Sequence, residues 1–549
     1  MTQPFTKSLE PVACSLGRIS AHALSYCRFL YPKTAYTFGK NALIYAGLLS
    51  LAAALPQNLS ASEVNTLVIA KAADPQSLDP AFTLDNNDLT IVYPMYQRLV
   101  RYEKKQDETG IADDLAESWS VSDDQLTWVF KIKDGFKFSD GTPVDAKAVE
   151  YSFERLFNMG QGPSAAFPKG TSVAATGPLE VTFKLEQPFA PFLYVLAVDG
   201  ASIVNPNVES QGNDHGSGWL SMHSAGSGAY MLESWERGSA IILKPNPYYS
   251  GTKPALQNVR VEIVPEAASR RLRLEAGDVD IAESLPLDQI QTLKKNPDLN
   301  VVEEPSLSVT YLYLNNKHKP LDNVDVRRAI SYAIDYQAIL DGVLSGDGVV
   351  MDGPIPEGMW GKSTDITHYS YDPGKAAELI SKAGINGSKL KFLYSDRDPL
   401  WEPLGIGVQA YLAQLNIDVS LEKLANATLR ERIETGDFDI AIGGWSPDFA
   451  DPYMFMNYWF DSQWHGLAGN RSFYTNPQVD EWLRQAATTS DQNERTQLYA
   501  KVQKVVTDEA PYVYLFQRNY MVAMRKNVSG FVYNPMLDHV YNFAEMSKK

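Results

Sequence analysis

Cysteine is nearly missing from this chain, with only Cys14 and Cys27 in 549 residues. Both precede an apolar run, Ala42–Leu55, which follows Lys40 and leads into the small polar residues Ser60-Ala-Ser62. A charge, an apolar stretch and then small residues make the pattern of a secretory signal. Cleavage near Ala61 leaves no cysteine, which excludes disulfides and thiolate chemistry from the mature chain. The run is fourteen residues long, short of the roughly 20 that span a membrane. A retained N-terminal anchor is the weaker alternative, and no later stretch is long and apolar enough to cross a bilayer. Residues 1–61 are therefore expected to be an extension plus signal peptide. The product should show no stable membrane insertion once the signal is removed.

Positive charge is scarce as well. Lys and Arg number 49 against 66 Asp and Glu, a formal charge of −17. Removing five basic residues and Glu10 with the N-terminal segment takes this to −21. Nucleic acid and anionic membrane both reward clustered cations, so neither is expected as a main partner. The seven histidines are scattered and form no His-Glu-x-x-His pair. His318, His368 and His465 read as surface or core residues, and no metal site is expected. No Gly-x-Ser-x-Gly elbow occurs. Gly358-Met-Trp-Gly-Lys-Ser363 ends like a phosphate loop, but Pro356 stands where the backbone nest needs glycine, so it reads as a turn. No catalytic residue and no cofactor follow from these patterns.

What is present is an ordinary globular composition, 44% hydrophobic, in a chain too long for one core. Thr66–Lys71 reads as a strand and Asp88–Val100 as a helix-like segment. Thr127–Lys133 alternates with Trp128, Phe130 and Ile132 on one face, followed by tight turns at Asp134-Gly135 and Asp140-Gly141. A helix is expected after Pro143. Val326, Ala329, Ile330, Ala333 and Ile334 recur at helical spacing and make a core stripe. Tyr311–Asn315, Leu390–Tyr394 and Ile417–Leu421 read as strands alternating with helices, the pattern of an α/β fold.

Several of these stretches together resemble one family. They are Leu115–Asp124, Lys133-Asp-Gly-Phe-Lys-Phe-Ser-Asp-Gly-Thr-Pro143, Gly226–Gly238 with Asn246-Pro-Tyr-Tyr249, Glu275–Ala282, Pro320–Asp335, Tyr371–Gly384 and Tyr474–Asp480. In that order they are similar to the periplasmic dipeptide- and oligopeptide-binding proteins, family 5 of the extracellular solute-binding proteins. The likeness runs from about Thr66 to Phe543. It implies a two-lobed periplasmic binding protein of type II, cluster C, with a hinge and an extra domain inserted in the first lobe. The implied division is 62–100, 226–310 and 518–549 for lobe I, 101–225 for the extra domain and 311–517 for lobe II. The chain would cross between lobes near Tyr311 and Arg518. Function by resemblance is capture of a short peptide in the periplasm, as a monomer, for an inner-membrane ABC permease. A non-peptide solute in the same fold and a secreted hydrolase of peptides or glycans are the alternatives.

The candidate site is the loop Gly443-Gly-Trp-Ser-Pro-Asp-Phe-Ala-Asp-Pro452, which follows the strand-like Phe438–Ile442. Taken alone it reads as a surface turn. In the family, the resembling loop lines the ligand cleft, and the aspartate three residues after the Trp pairs with a peptide's α-ammonium. Asp448 holds that position. Gly444 belongs to the same loop, and Trp445 is either a wall against the ligand or a core residue. Asp451, before Pro452, reads as a turn former. Arg397 falls about where dipeptide binders place an arginine for the ligand's carboxylate, although Asp396 and Asp398 offer it a local salt bridge.

Overall fold

The computed structural model describes residues 65–549 apart from 84, 106, 107 and 386. The expected signal segment, its cleavage site and both cysteines lie outside the described residues.

Two antiparallel strands, Leu299–Leu314 and Tyr512–Arg525, form the spine of an eleven-stranded sheet. Toward one end the spine joins Ile281–Ala282, Thr66–Lys71, Asn258–Ile263, Ala240–Pro245 and Tyr230–Glu236. Toward the other, Leu299–Leu314 pairs with Ile440–Trp445, and the sheet continues through Lys389–Ser395 to Asp418–Leu424. Pairing within the spine is interrupted: Pro305 faces Asn519, and register resumes with Val309 opposite Gln517. Proline offers no amide hydrogen to a ladder, so a break beside Pro305 has a local cause.

The strand expected at Tyr311–Asn315 is thus the end of one sixteen residues long. From Leu299 to Glu304 its side chains are mostly half-exposed, whereas nearly all from Leu307 to Leu314 are buried. Only the stretch covered on both faces reads as a continuous apolar run. A second difference concerns Asp88–Val100. The α-helix is Asn86–Val92, followed by a single 3-10 turn, Tyr93–Met95, and the chain is extended by Tyr96. Pro94 removes a helical donor and ends the α-helix.

Residues 101–225 contain a four-stranded antiparallel sheet in the order Ala116–Val121, Thr127–Ile132, Glu180–Lys184, Ser172–Gly177. Trp128, Phe130 and Ile132 are buried on one face, as their alternation predicts. Helix Ala146–Met159 packs there, started by the Asp145 cap on Ala148 N and stopped by left-handed Gly160. Phe183 meets Phe130 and Phe153 edge-on at 5.8 and 4.8 Å. In helix Val324–Ala333 the stripe of Val326, Ala329, Ile330 and Ala333 is fully buried.

Candidate ligand cavity

The candidate loop leaves the sheet at strand Ile440–Trp445, whose Gly443 lies opposite Tyr311 and whose Trp445 lies opposite Val309. Gly443 has a steric reason to be glycine: a side chain there would strike the hydroxyl of Tyr313. That hydroxyl accepts a hydrogen bond from Arg471 Nη1 at 3.0 Å, so it is not free to move aside. At the loop's far end Asp451 is completely buried. Its two oxygens accept from Arg495 Nη1 and Nη2, each at 2.7 Å, and Oδ1 also accepts from Tyr453 N at 2.9 Å. Asp451 therefore does shape the turn into helix Tyr453–Phe460, and it also anchors the loop through an ion pair whose partner lies 44 residues downstream.

Between these fixed ends, Ser446, Pro447, Asp448 and Phe449 face a cavity of about 390 Å3. That is at the lower end of the roughly 300–1,000 Å3 typical of small-ligand sites. The opposite walls come from distant parts of the chain, including Asn86, Tyr102, Asp199, Leu307 and Asp538. Tyr102 ties two walls together, its hydroxyl donating to Tyr194 O at 2.7 Å and accepting from Ala450 N at 3.4 Å.

Among the described residues, the carboxylate or cationic groups that line this cavity are all acids: Asp199, Asp448 and Asp538. Burial pushes Asp199 up to about 6 against the pull of Arg98, whose Nη1 is 3.4 Å away. Burial also raises Asp538, while His539 at 3.6 Å opposes the shift. Asp448 differs from both. Its carboxylate is open to the cavity, yet enough protein surrounds it that desolvation raises its pKa. Among the described residues it has no hydrogen-bond donor or cation as partner. Tyr458 lines the same space, and its hydroxyl is pushed up first by burial and then by the Asp448 charge.

The other expected site residues do not line the cavity. Trp445 is half-buried, with the Arg471 guanidinium 5.2 Å over its ring and Tyr458 at 6.4 Å. Its indole N–H is buried without an acceptor among the described residues. Gly444 is exposed. Arg397 is exposed on the turn after Lys389–Ser395 and has no ion pair among the described residues. Its neighbour Asp398 pairs instead with Arg518 of the spine. Asp199 and Asp538 escaped sequence reasoning because each is an isolated acid, brought to the cavity only by the fold.

The sequence profile described as bacterial extracellular solute-binding proteins, family 5 Middle, matches residues 110–466. This chain belongs to that family. Relatives of the family 5 chain extend the match beyond the profile. The probable D,D-dipeptide-binding periplasmic protein DdpA of Escherichia coli K12 is 55% identical over 503 residues, 91% of this chain and 98% of its own. HbpA2 from Haemophilus parasuis superposes with a TM-score of 0.82 at 27% identity, covering 88% of this chain and all of that one. DppA from Helicobacter pylori, solved with the peptide STSA, gives 0.68 at 29% identity over 88% and 98% of the two chains. The fold is the two-lobed α/β architecture of periplasmic binding proteins, and the family 5 chain is a periplasmic protein. Among its described residues no helix is long and apolar enough to cross a membrane.

Proposed function

We propose that this chain captures short peptides, dipeptides foremost, by their α-ammonium at Asp448 and delivers them to an inner-membrane ABC importer. The observation that carries the reading is the Asp448 carboxylate, without a partner among the described residues, in a cavity whose other charged lining groups, Asp199 and Asp538, are also acids. A desolvated carboxylate without a partner is costly, and a bound ammonium removes that cost through a charge-assisted hydrogen bond. Closure around the site is then favoured only when ligand is present. The likeness to a relative named for D,D-dipeptides makes D-Ala-D-Ala the first ligand to test. In the same reading the lobes are 62–100, 226–310 and 518–549 on one side and 311–517 on the other, with 101–225 as an added domain. The interrupted pairing beside Pro305 supports a hinge in the spine. Hinge closure would bring Arg397, which has no ion pair among the described residues, toward the ligand's carboxylate. The protein acts as a monomer and releases its ligand chemically unchanged.

Calorimetry with D-Ala-D-Ala, L-Ala-L-Ala, their tripeptides and N-acetylated forms tests this directly. Free-amine dipeptides should bind, and acetylation should weaken them at least tenfold. If no peptide binds, or if acetylated and free forms bind alike, the assignment fails. Mass spectrometry of recovered ligand should find it intact; cleaved products would point to a hydrolase.

A further inference from the structure

A second cavity, of about 500 Å3, opens where the segment 93–101 meets residues 249–255 and the C-terminal stretch 541–546. It shares no lining residue with the ligand cavity. The two are linked by one ion pair, since Asp199 lines the first and its partner Arg98 lines the second.

Among the described residues, two buried polar groups at this cavity lack partners. Arg98 is almost wholly buried, with its guanidinium 4.1 Å over the Tyr93 ring and Nη1 on Asp199, yet its Nε–H has no acceptor. The Gln97 side chain, also buried, donates to Asp114 through Nε2 at 2.7 Å while its Oε1 receives nothing. Buried groups of this kind are normally satisfied, so an unmet one beside a cavity calls for a partner such as a water, an ion or a ligand. The charges around them favour an anion. Arg101 and Lys253 also line the cavity, and Lys253 is exposed with no carboxylate within ion-pair distance among the described residues. Arg101 gives Nε to the Asp113 carbonyl at 3.3 Å and approaches Glu103 only to 3.9 Å. Of the two lining carboxylates, Asp114 is occupied by Gln97 Nε2 and Arg98 N, and Glu545 is exposed. Tyr93 and Tyr249 supply flat apolar wall.

We propose that this second cavity is a binding site for a small, ring-bearing carboxylate. Its carboxylate is held by Arg101, Lys253 and the free Nε–H of Arg98, and its ring lies against the tyrosines. A hydroxyl or amino group on the ring supplies the donor that Gln97 Oε1 lacks.

The probe is 4-hydroxybenzoate, titrated calorimetrically into the purified protein, with 4-hydroxybenzamide as its uncharged counterpart. The benzoate should bind saturably at one site, and the benzamide at least tenfold more weakly. Arg101→Gln combined with Lys253→Gln should weaken the benzoate at least tenfold, and so should the single reversal Lys253→Glu. Both positions are partly or fully exposed, and an unchanged thermal melt verifies folding. Asp448→Asn should leave benzoate binding intact, which separates this site from the peptide cavity. Absence of saturable binding overturns the proposal. Equal affinity for the amide overturns it too, as does loss on Asp448→Asn in place of loss on the Arg101 and Lys253 variants.

Discussion

Asp448 and Asp451 stand three residues apart on one loop, yet the first has no partner among the described residues and the second is gripped by two nitrogens of Arg495. Asp451 is the more deeply buried, and its charge is fully answered from within the fold. Asp448 is open on the cavity side, and its charge is left for something that arrives from outside. The locked residue holds the loop so that the free one is presented.

The largest effect should come from breaking the lock. Asp451→Ala leaves the Arg495 guanidinium buried without a counter-charge, and loss of one member of such a pair costs about 3–5 kcal/mol of stability. Urea unfolding would measure it. Asp448→Ala should do the opposite, staying within about 0.5 kcal/mol of the parent in stability. Its effect should appear in peptide affinity, a loss of roughly 2–5 kcal/mol by calorimetry. Equal destabilisation by the two variants would erase the contrast.

Titration sharpens the contrast, because Asp448 should push stability and affinity in opposite directions. Its folded pKa is raised by desolvation above the ordinary carboxylate value. The stability it contributes is therefore fully present when it is protonated and is lost as pH rises through the folded pKa. Peptide affinity runs the other way, since the ammonium stays charged below about pH 7 and needs the carboxylate ionised. Lowering the pH through a window starting above the usual carboxylate range should weaken binding. Asp199, pushed up to about 6, lines the same cavity and also titrates above the usual range, so the comparison with Asp448→Asn isolates the one group. A variant whose affinity falls with pH as steeply as the parent's would assign the dependence elsewhere.

What the sequence made legible follows the range of the forces involved. The stripe ending at Ile334, the alternation through Trp128, Phe130 and Ile132 and the turns at Gly135 and Gly141 are local periodicities, and all have their structural counterparts. Asp448 was legible only through family likeness, because nothing within ten residues distinguishes it from Asp451. The Asp451–Arg495 pair, the Arg98–Asp199 pair and the cavity acids Asp199 and Asp538 depend on contacts between remote segments, which local pattern does not encode. The length of the spine strand was hidden for a different reason: its half-exposed portion carries Glu303, Glu304 and Pro305, a composition that reads as loop.

The paired glycines at the loop's entry extend the same contrast to a smaller scale. At Gly443 an added methyl meets the Tyr313 hydroxyl, which is held by Arg471 inside a buried aromatic cluster. Gly443→Ala should therefore cost about 1–3 kcal/mol, the range for overpacking a filled site. At Gly444 the nearest atoms to an added methyl are the Val309 carbonyl at 3.5 Å and Trp401 at 4.0 Å, both ordinary contacts. Gly444→Ala should thus leave stability within about 0.5 kcal/mol, or raise it slightly by restricting the unfolded chain. Its informative readout is affinity. If the ligand's backbone passes close to Gly444, the methyl will weaken peptide binding with no change in the urea midpoint. If affinity is also unchanged, the recognition surface begins at Ser446, and Gly444 serves only as a step of the strand that ends at Trp445.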